Sequence, residues 1–199
     1  MSMRNWNNTL FLDAMRGRYA PLHNWITEIT ENRIDLVVCL ASKAEIRNKS
    51  PDYAALRENK RTDAEQIILP VGNRQVILMD FPIEDLSTPV AHDVESFRHL
   101  AAEIARRIEE GLQVFIHCGA GIGRTGMFAV AVLMMTGKTL GESMEEFSRA
   151  GSDPETAEQK SLLEAGVPGG FAERPDVDQK GGAPGSRQPC SARCAGSIA

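Results

Sequence analysis

The ten residues HCGAGIGRTG, at positions 117–126, join two segments of opposite character. QVFIHC before them is β-branched and aromatic, the pattern of a buried strand, and MFAVAVLMM after them is an unbroken apolar run, the pattern of a buried helix. Four glycines stand between, although glycine loses more backbone freedom on ordering than any other residue. A strand that turns through glycines straight into a helix can aim its backbone N–H groups, and the positive end of that helix, at a bound anion. No other feature constrains the fold as strongly. A buried strand feeding a buried helix belongs in an α/β layer structure.

The rest of the chain alternates in the same way. TLFLDA (Thr9–Ala14), IDLVVCLA (Ile34–Ala41), EQIILPV and RQVILMDF read as strands, the last two joined by a Gly-Asn hairpin turn. PLHNWITEITENR places Leu22, Trp25, Ile26 and Ile29 at helical spacing after Pro21. SPDYAALRENK offers Ser50 as a helix cap and Pro51 as the first helical residue. PVAHDVESFRHLAAEIARRIEEG reads as a long amphipathic helix ended by Gly111, and two helices, Leu140–Arg149 and Pro154–Ala165, follow the apolar one. The expected architecture is α/β: a mainly parallel central sheet flanked by helices on both faces, with the glycine-rich loop between the last strand and the following helix.

Composition changes near residue 167. From Val167 onward glycine and proline make up about a third of the residues and apolar periodicity is lost. Such a segment buries too little surface to offset its ordering entropy. The expectation is therefore a folded domain over residues 1–166 and a disordered tail over 167–199. A net charge of −5 and a pI near 5.5 leave no basic footprint for nucleic acid or an anionic membrane. MFAVAVLMM is too short to span a bilayer, and MSMRNWNNTLFLDAMRGRY has no apolar core of a secretory signal. Cys39, Cys118, Cys190 and Cys194 are too few for a disulfide scaffold and lack metal-ligand spacing with the histidines. A cytoplasmic chain with reduced thiols, no metal and no other cofactor is expected.

Cys118 ends its strand and Arg124 follows six positions later, so a thiolate can lie beneath an anion whose oxygens the planar guanidinium grips in pairs. Through His117, Cys118, Gly121, Gly123, Arg124, Thr125 and Gly126, the loop resembles the phosphate-binding loop of the cysteine-dependent protein tyrosine and dual-specificity phosphatases. The compact bacterial, kinase-associated-phosphatase-like branch is nearest in length, and the resemblance runs from about Asn8 to Ala165. It implies hydrolysis of phosphate monoesters on protein or peptide substrates, phosphotyrosine and also phosphoserine or phosphothreonine. Cys118 would attack phosphorus and form a phosphocysteine intermediate, its thiol lowered from about 8.5 to about 3.5–7.5 by loop dipoles and the arginine. Arg124 and the backbone of Gly119, Ala120, Gly121, Ile122 and Gly123 would hold the phosphate oxygens. Thr125 would hydrogen-bond the sulfur, and His117 would brace the loop and favour the thiolate.

The same resemblance calls for an acid upstream. In MDFPIEDLSTP the family pattern selects Asp85, with Glu84 the rival and Asp80 ending the strand. AGSDPETAEQ resembles a segment whose glutamine, here Gln159, helps place the hydrolytic water, although Ser152 or Asp153 with Pro154 and Glu155 also makes an ordinary helix start. LDAMRGRYAPL would bring Arg16, Arg18 and Tyr19 to the mouth of the cleft, or form a solvated loop. Cys39 is either a small core hydrophobe or a resolving thiol for oxidised Cys118, since family folds put its strand beside the one ending at the nucleophile. Two other substrates, a phosphoinositide and an RNA 5′-phosphate, share this chemistry, and a non-catalytic phosphoprotein-binding module shares the loop.

Overall fold

The computed structural model describes residues 3–6, 8–63 and 66–166. The expected tail, with Cys190 and Cys194, lies outside the described residues. The framework is a seven-stranded sheet. Its strands are β1 (Arg4–Trp6), β2 (Leu10–Asp13), β3 (Leu36–Cys39), β4 (Arg61–Asp63), β5 (Gln66–Val71), β6 (Arg74–Asp80) and β7 (Val114–His117), in the spatial order β1-β2-β7-β3-β6-β5-β4. The four central strands β2, β7, β3 and β6 run parallel, and antiparallel pairs close both edges. The sheet is thus parallel at its centre and mixed at its margins. At one margin the reason is local: only Gly72 and Asn73 separate β5 from β6, and so short a connection, with Gly72 at φ +60°, permits only an antiparallel return.

Seven helices cover the sheet among the described residues. α1 (Leu22–Glu31), α2 (Lys43–Lys49) and α3 (Pro51–Glu58) pack on one face, where Trp25, Ile29, Ile46 and Tyr53 meet Val37, Cys39 and Phe115. α4 (Val94–Glu109), α5 (Gly123–Met135), α6 (Leu140–Arg149) and α7 (Ala157–Glu164) pack on the other, where Phe97, Phe128, Phe147 and Leu163 meet Leu36, Val38, Val114 and Ile116. The strict alternation along β3 and β7 sorts each strand's residues between two cores. α5 is apolar all round and buried from Gly123 to Met134, as a helix enclosed by its neighbours must be. No helix among the described residues is long and apolar enough to cross a membrane.

Two local expectations are corrected. Pro51 does begin α3, but the Ser50 hydroxyl does not cap it; it donates to the Arg16 carbonyl and ties α3 to the segment after β2. The last helix begins at Ala157 rather than Pro154, because the Thr156 hydroxyl accepts from the Gln159 N–H and starts the helix there.

Gly126, in the first turn of α5, shows how closely the elements around the loop approach. A Cβ there would meet the backbone of Ser152 and Asp153 at 2.7–2.8 Å. Glycine to alanine inside a helix ordinarily gains about 1 kcal/mol. Here overpacking, typically about 1–3 kcal/mol, outweighs that gain, so Gly126→Ala is expected to lower the urea midpoint. A raised midpoint would mean that the 152–153 segment can retreat.

Candidate active site

Parallel pairing gathers the site at one edge of the sheet. Asp13 and Cys39 both pair with His117, and Asp80 pairs with Cys39, so four strands end in one row. The segments leaving that row are those after β2, β3, β6 and β7, and they emerge side by side at the carboxyl ends of the strands, where open α/β sheets hold ligands. Segment 118–122 is clamped from both sides. The Met15 N–H donates to the Gly119 carbonyl at 3.2 Å, and the Ser152 hydroxyl donates to the Gly121 carbonyl at 2.7 Å. Gly121 has φ +74°, and a Cβ on it would collide with the Asp13 carbonyl and the Ala14 nitrogen. Only glycine fits there. Its N–H donates to the buried Cys118 Sγ at 3.3 Å.

Arg124 is fully buried at the start of α5. Its Nη1 donates to Glu45 Oε2 at 2.7 Å and to the Ile83 carbonyl at 2.9 Å; its Nη2 donates to Glu45 Oε1 at 2.9 Å and to Asp85 Oδ1 at 2.6 Å. Its Nε is buried without a hydrogen-bond partner. Burial raises the Glu45 carboxyl, but hydrogen bonds from Arg124 and Lys49 override it and hold the group at about 2. Sequence reading missed Glu45 and its helix. A signal was present: Ser42-Lys-Ala-Glu45 has capping-box spacing, and the Ser42 hydroxyl accepts from the Glu45 N–H at 3.1 Å.

Asp85 therefore reaches the arginine that the loop carries, and Lys49 stands 3.4 Å from its other oxygen. Glu84 is exposed and forms no ion pair among the described residues. Asp80 faces the opposite core, where both its oxygens accept from Arg57 at 2.6 and 2.7 Å. Gln159 is buried with both ends of its amide engaged: Oε1 accepts from the Glu155 N–H at 2.8 Å, and Nε2 donates to the Ser87 carbonyl at 2.9 Å. It links the Asp85 segment to the segment before α7. The Thr125 hydroxyl is buried without a hydrogen-bond partner, so the expected bond to sulfur is not made. Glu155 was unforeseen. Its Oε2 accepts from the Gly123 N–H at 2.9 Å, placing a carboxylate on one of the amides expected to cradle an anion.

His117 is wholly buried, stacked on Phe115 and edge-on to Tyr53. Its Nδ1 lies 3.2 Å from the Cys118 carbonyl, which can only accept, so Nδ1 carries the proton and Nε2 accepts from the Tyr53 hydroxyl at 3.0 Å. Burial pushes the imidazole down to about 3. His117 thus braces the loop as a neutral ring and lends it no positive charge.

The strand pairing also corrects the redox expectation. Cys39 lies opposite His117 and shares its face, in the core under α1–α3; Cys118, one residue on, belongs to the core under α4–α7. The two free thiols lie in separate cores on opposite sides of the sheet, and burial pushes the Cys39 thiol up to about 12. Cys39 is a core residue. At the mouth, Arg18 lies beside Gly119 with its guanidinium 4.5 Å over the exposed Tyr19 ring. Arg16 is buried instead, paired with Asp13 at 2.9 Å and Glu28 at 3.2 Å.

A family profile described as "Tc-R-P: Polymorphic toxin system, DSP-PTPase phosphatase" matches residues 14–138. No curated protein sequence matches the chain. The crystal structure of Tk-PTP in the active form is 28% identical, with a TM-score of 0.57 over 82% of this chain and 95% of that one. Kinase-associated phosphatase, with its catalytic-site cysteine substituted by serine, is 18% identical, with a TM-score of 0.59 over 78% of this chain and 84% of that one. TpbA of P. aeruginosa, in complex with pTyr, is 15% identical, with a TM-score of 0.53 over 82% and 84%. The last two share the fold.

Two outcomes are expected from the geometry. Glu45 is held below its ordinary value of 4.5, so its pairing stabilises the fold above that pH and is lost as pH falls toward about 2. Glu45→Gln should lower stability at pH 7, and its deficit relative to the parent chain should shrink as urea titrations descend from pH 5 to pH 3. A deficit independent of pH would assign the loss to packing. Glu155→Ala frees the Gly123 N–H and removes a repelling charge, so calorimetry should show tighter binding of inorganic phosphate. Weaker binding would mean that Glu155 orders the loop.

Proposed function

The chain belongs to the DSP-PTPase phosphatase family of polymorphic toxin systems, and on that basis we propose that it hydrolyses phosphate monoesters on proteins, phosphotyrosine foremost and phosphoserine or phosphothreonine as well, through a phosphocysteine intermediate on Cys118. One observation carries this reading: Cys118, Arg124 and Asp85 converge, with the Gly121 N–H already on the sulfur. The Cys118 thiolate attacks phosphorus in line as the ester P–O bond breaks. The phosphoryl oxygens take the loop N–H groups and the Arg124 donors, including the unpartnered Nε. As the substrate claims the guanidinium, Asp85 is released from it, takes a proton from water and donates that proton to the leaving oxygen. In the second step a water attacks phosphorus, Asp85 takes its proton, and the S–P bond breaks to return the thiolate. Thr125 is the hydroxyl available to the departing sulfur. Gln159 acts by holding the Asp85 segment through Ser87.

An apolar rim favours an aromatic phosphate. Tyr19, Leu86 and Ile122 are exposed at 61%, 60% and 39%, and each lies on a segment that forms the site. The variable loop positions Gly119, Ala120 and Ile122 carry no cation that would select a polyanionic headgroup.

Cys118→Ser should abolish turnover of a phosphotyrosine peptide while retaining its binding, since the hydroxyl does not ionise at neutral pH. Asp85→Asn should lower kcat about 10²–10⁴-fold and flatten the basic limb of the pH profile, with a smaller loss for p-nitrophenyl phosphate, whose leaving group needs less protonation. Those effects appearing in Glu84→Gln instead would move the acid by one residue. Undiminished turnover by Cys118→Ser would end the covalent mechanism.

A further inference from the structure

Glu45 and Lys49, one turn apart on α2, face Arg124 and Asp85. Lys43 and Arg47, also one turn apart, project about 120–160° away around the same helix. There they border a cavity of about 320 Å³ between α2 and α3, with Ile46 and Ala54 among its lining and Lys60 and Arg57 completing the cationic part of it. Glu58 is the one carboxylate in that lining. Arg57 is neutralised by Asp80, but among the described residues no carboxylate pairs with Lys43, Arg47 or Lys60. Three unpaired cations against one acid leave a local excess of positive charge in a chain whose net charge is −5. Such a concave pocket of net positive charge concentrates counter-ions.

We propose that this cavity is a second anion-binding site, separate from the Cys118 loop, which takes a dianionic phosphoryl group. The lysine ammoniums supply point charges and Arg47 a planar fork of donors suited to two phosphoryl oxygens. The cavity also has a physical link to the nucleophile. Arg57, part of its lining, donates to the Tyr53 hydroxyl at 3.4 Å, and that hydroxyl holds His117, whose other nitrogen bonds the Cys118 carbonyl. Two sources can supply the phosphoryl group: free phosphate, or a second phosphorylated side chain on the substrate.

The site is tested with ¹⁵N-labelled Cys118→Ser protein titrated with inorganic phosphate. Amides of Lys43–Lys49 and Asp52–Lys60 should shift with their own saturation curve, distinct from that of the loop amides. Combined Lys43→Gln, Arg47→Gln and Lys60→Gln should erase the first curve and leave the second. Absence of α2 and α3 shifts, or an unchanged first curve in the triple variant, overturns the proposal. This arm needs no catalysis, so it stays decisive if the hydrolytic reading fails. Peptides carrying one or two phosphotyrosines then distinguish the source. A preference for the doubly phosphorylated peptide that falls about tenfold in the triple variant, the scale of one lost charge-assisted hydrogen bond, assigns the substrate's second group. Equal kcat/KM in parent and variant for both peptides assigns free phosphate.

Discussion

A guanidinium that never loses its proton cannot be buried without partners, and Arg124 is the most deeply buried charge at the site. Its compensation organises the surroundings. Glu45 grips it from α2, the Ile83 carbonyl and Asp85 from the segment after β6, and α5 carries it beside the Cys118 loop. Three elements distant in sequence thus meet on one planar cation. Removing Glu45, the more buried of its two carboxylate partners, would cost up to about 3–5 kcal/mol, the range for breaking a buried pair. The pairing with Glu45 therefore serves the fold and the chemistry together: it satisfies the two terminal nitrogens while leaving Nε for an oxyanion.

The second constraint is the parity of the strands. β7 delivers Phe115 and His117 to one core and Ile116 and Cys118 to the other. Cys118 can thus stand over α5 while the histidine before it is anchored from the opposite side by Tyr53, Arg57 and Asp80. A neutral ring suits that task. Burial makes an imidazolium too costly there, and the neutral tautomer donates to the Cys118 carbonyl while accepting from Tyr53. The same parity sets Cys39 apart from Cys118 despite neighbouring strands, since a residue and its successor point to opposite faces.

Most of the fold could be read from the chain because its elements announce themselves locally. The apolar run of α5, the Gly-Asn turn after β5 and the alternating strands all carry period or punctuation in the sequence. β1 and β4 escaped notice, as three-residue edge strands carry too few residues to show a period. In the candidate site, the spacing of Cys118 and Arg124 is legible within one loop, and Asp85 is what the family resemblance implies within one short segment. Glu45 and Glu155 were not legible, since their roles depend on where α2 and the turn before α7 dock. Nothing in Ser-Lys-Ala-Glu beyond a helix start says that its glutamate will meet an arginine 79 residues away. Of the two readings of Cys39, the structure favours the core hydrophobe over the resolving thiol: proximity of strands is legible in the sequence, but the register that decides which face a side chain takes is not.

The distribution of carboxylates around the loop bears on how such a site remains folded before substrate arrives. Converging N–H groups and a buried guanidinium would be costly if left without acceptors. Here Glu155 takes the Gly123 N–H, Asp85 takes one Arg124 nitrogen and the Cys118 sulfur takes the Gly121 N–H. The first two are exposed, acidic side chains, which water can solvate once they are displaced. A phosphate dianion offers the same donors more charge from one compact group, so exchange would free Asp85 for the role of acid proposed for it. Glu45, buried and bidentate, stays behind to hold the arginine in line. The acid that stays on the arginine, Glu45, and the acids that yield to an anion, Asp85 and Glu155, thus differ in one physical property: how readily water can replace their partner.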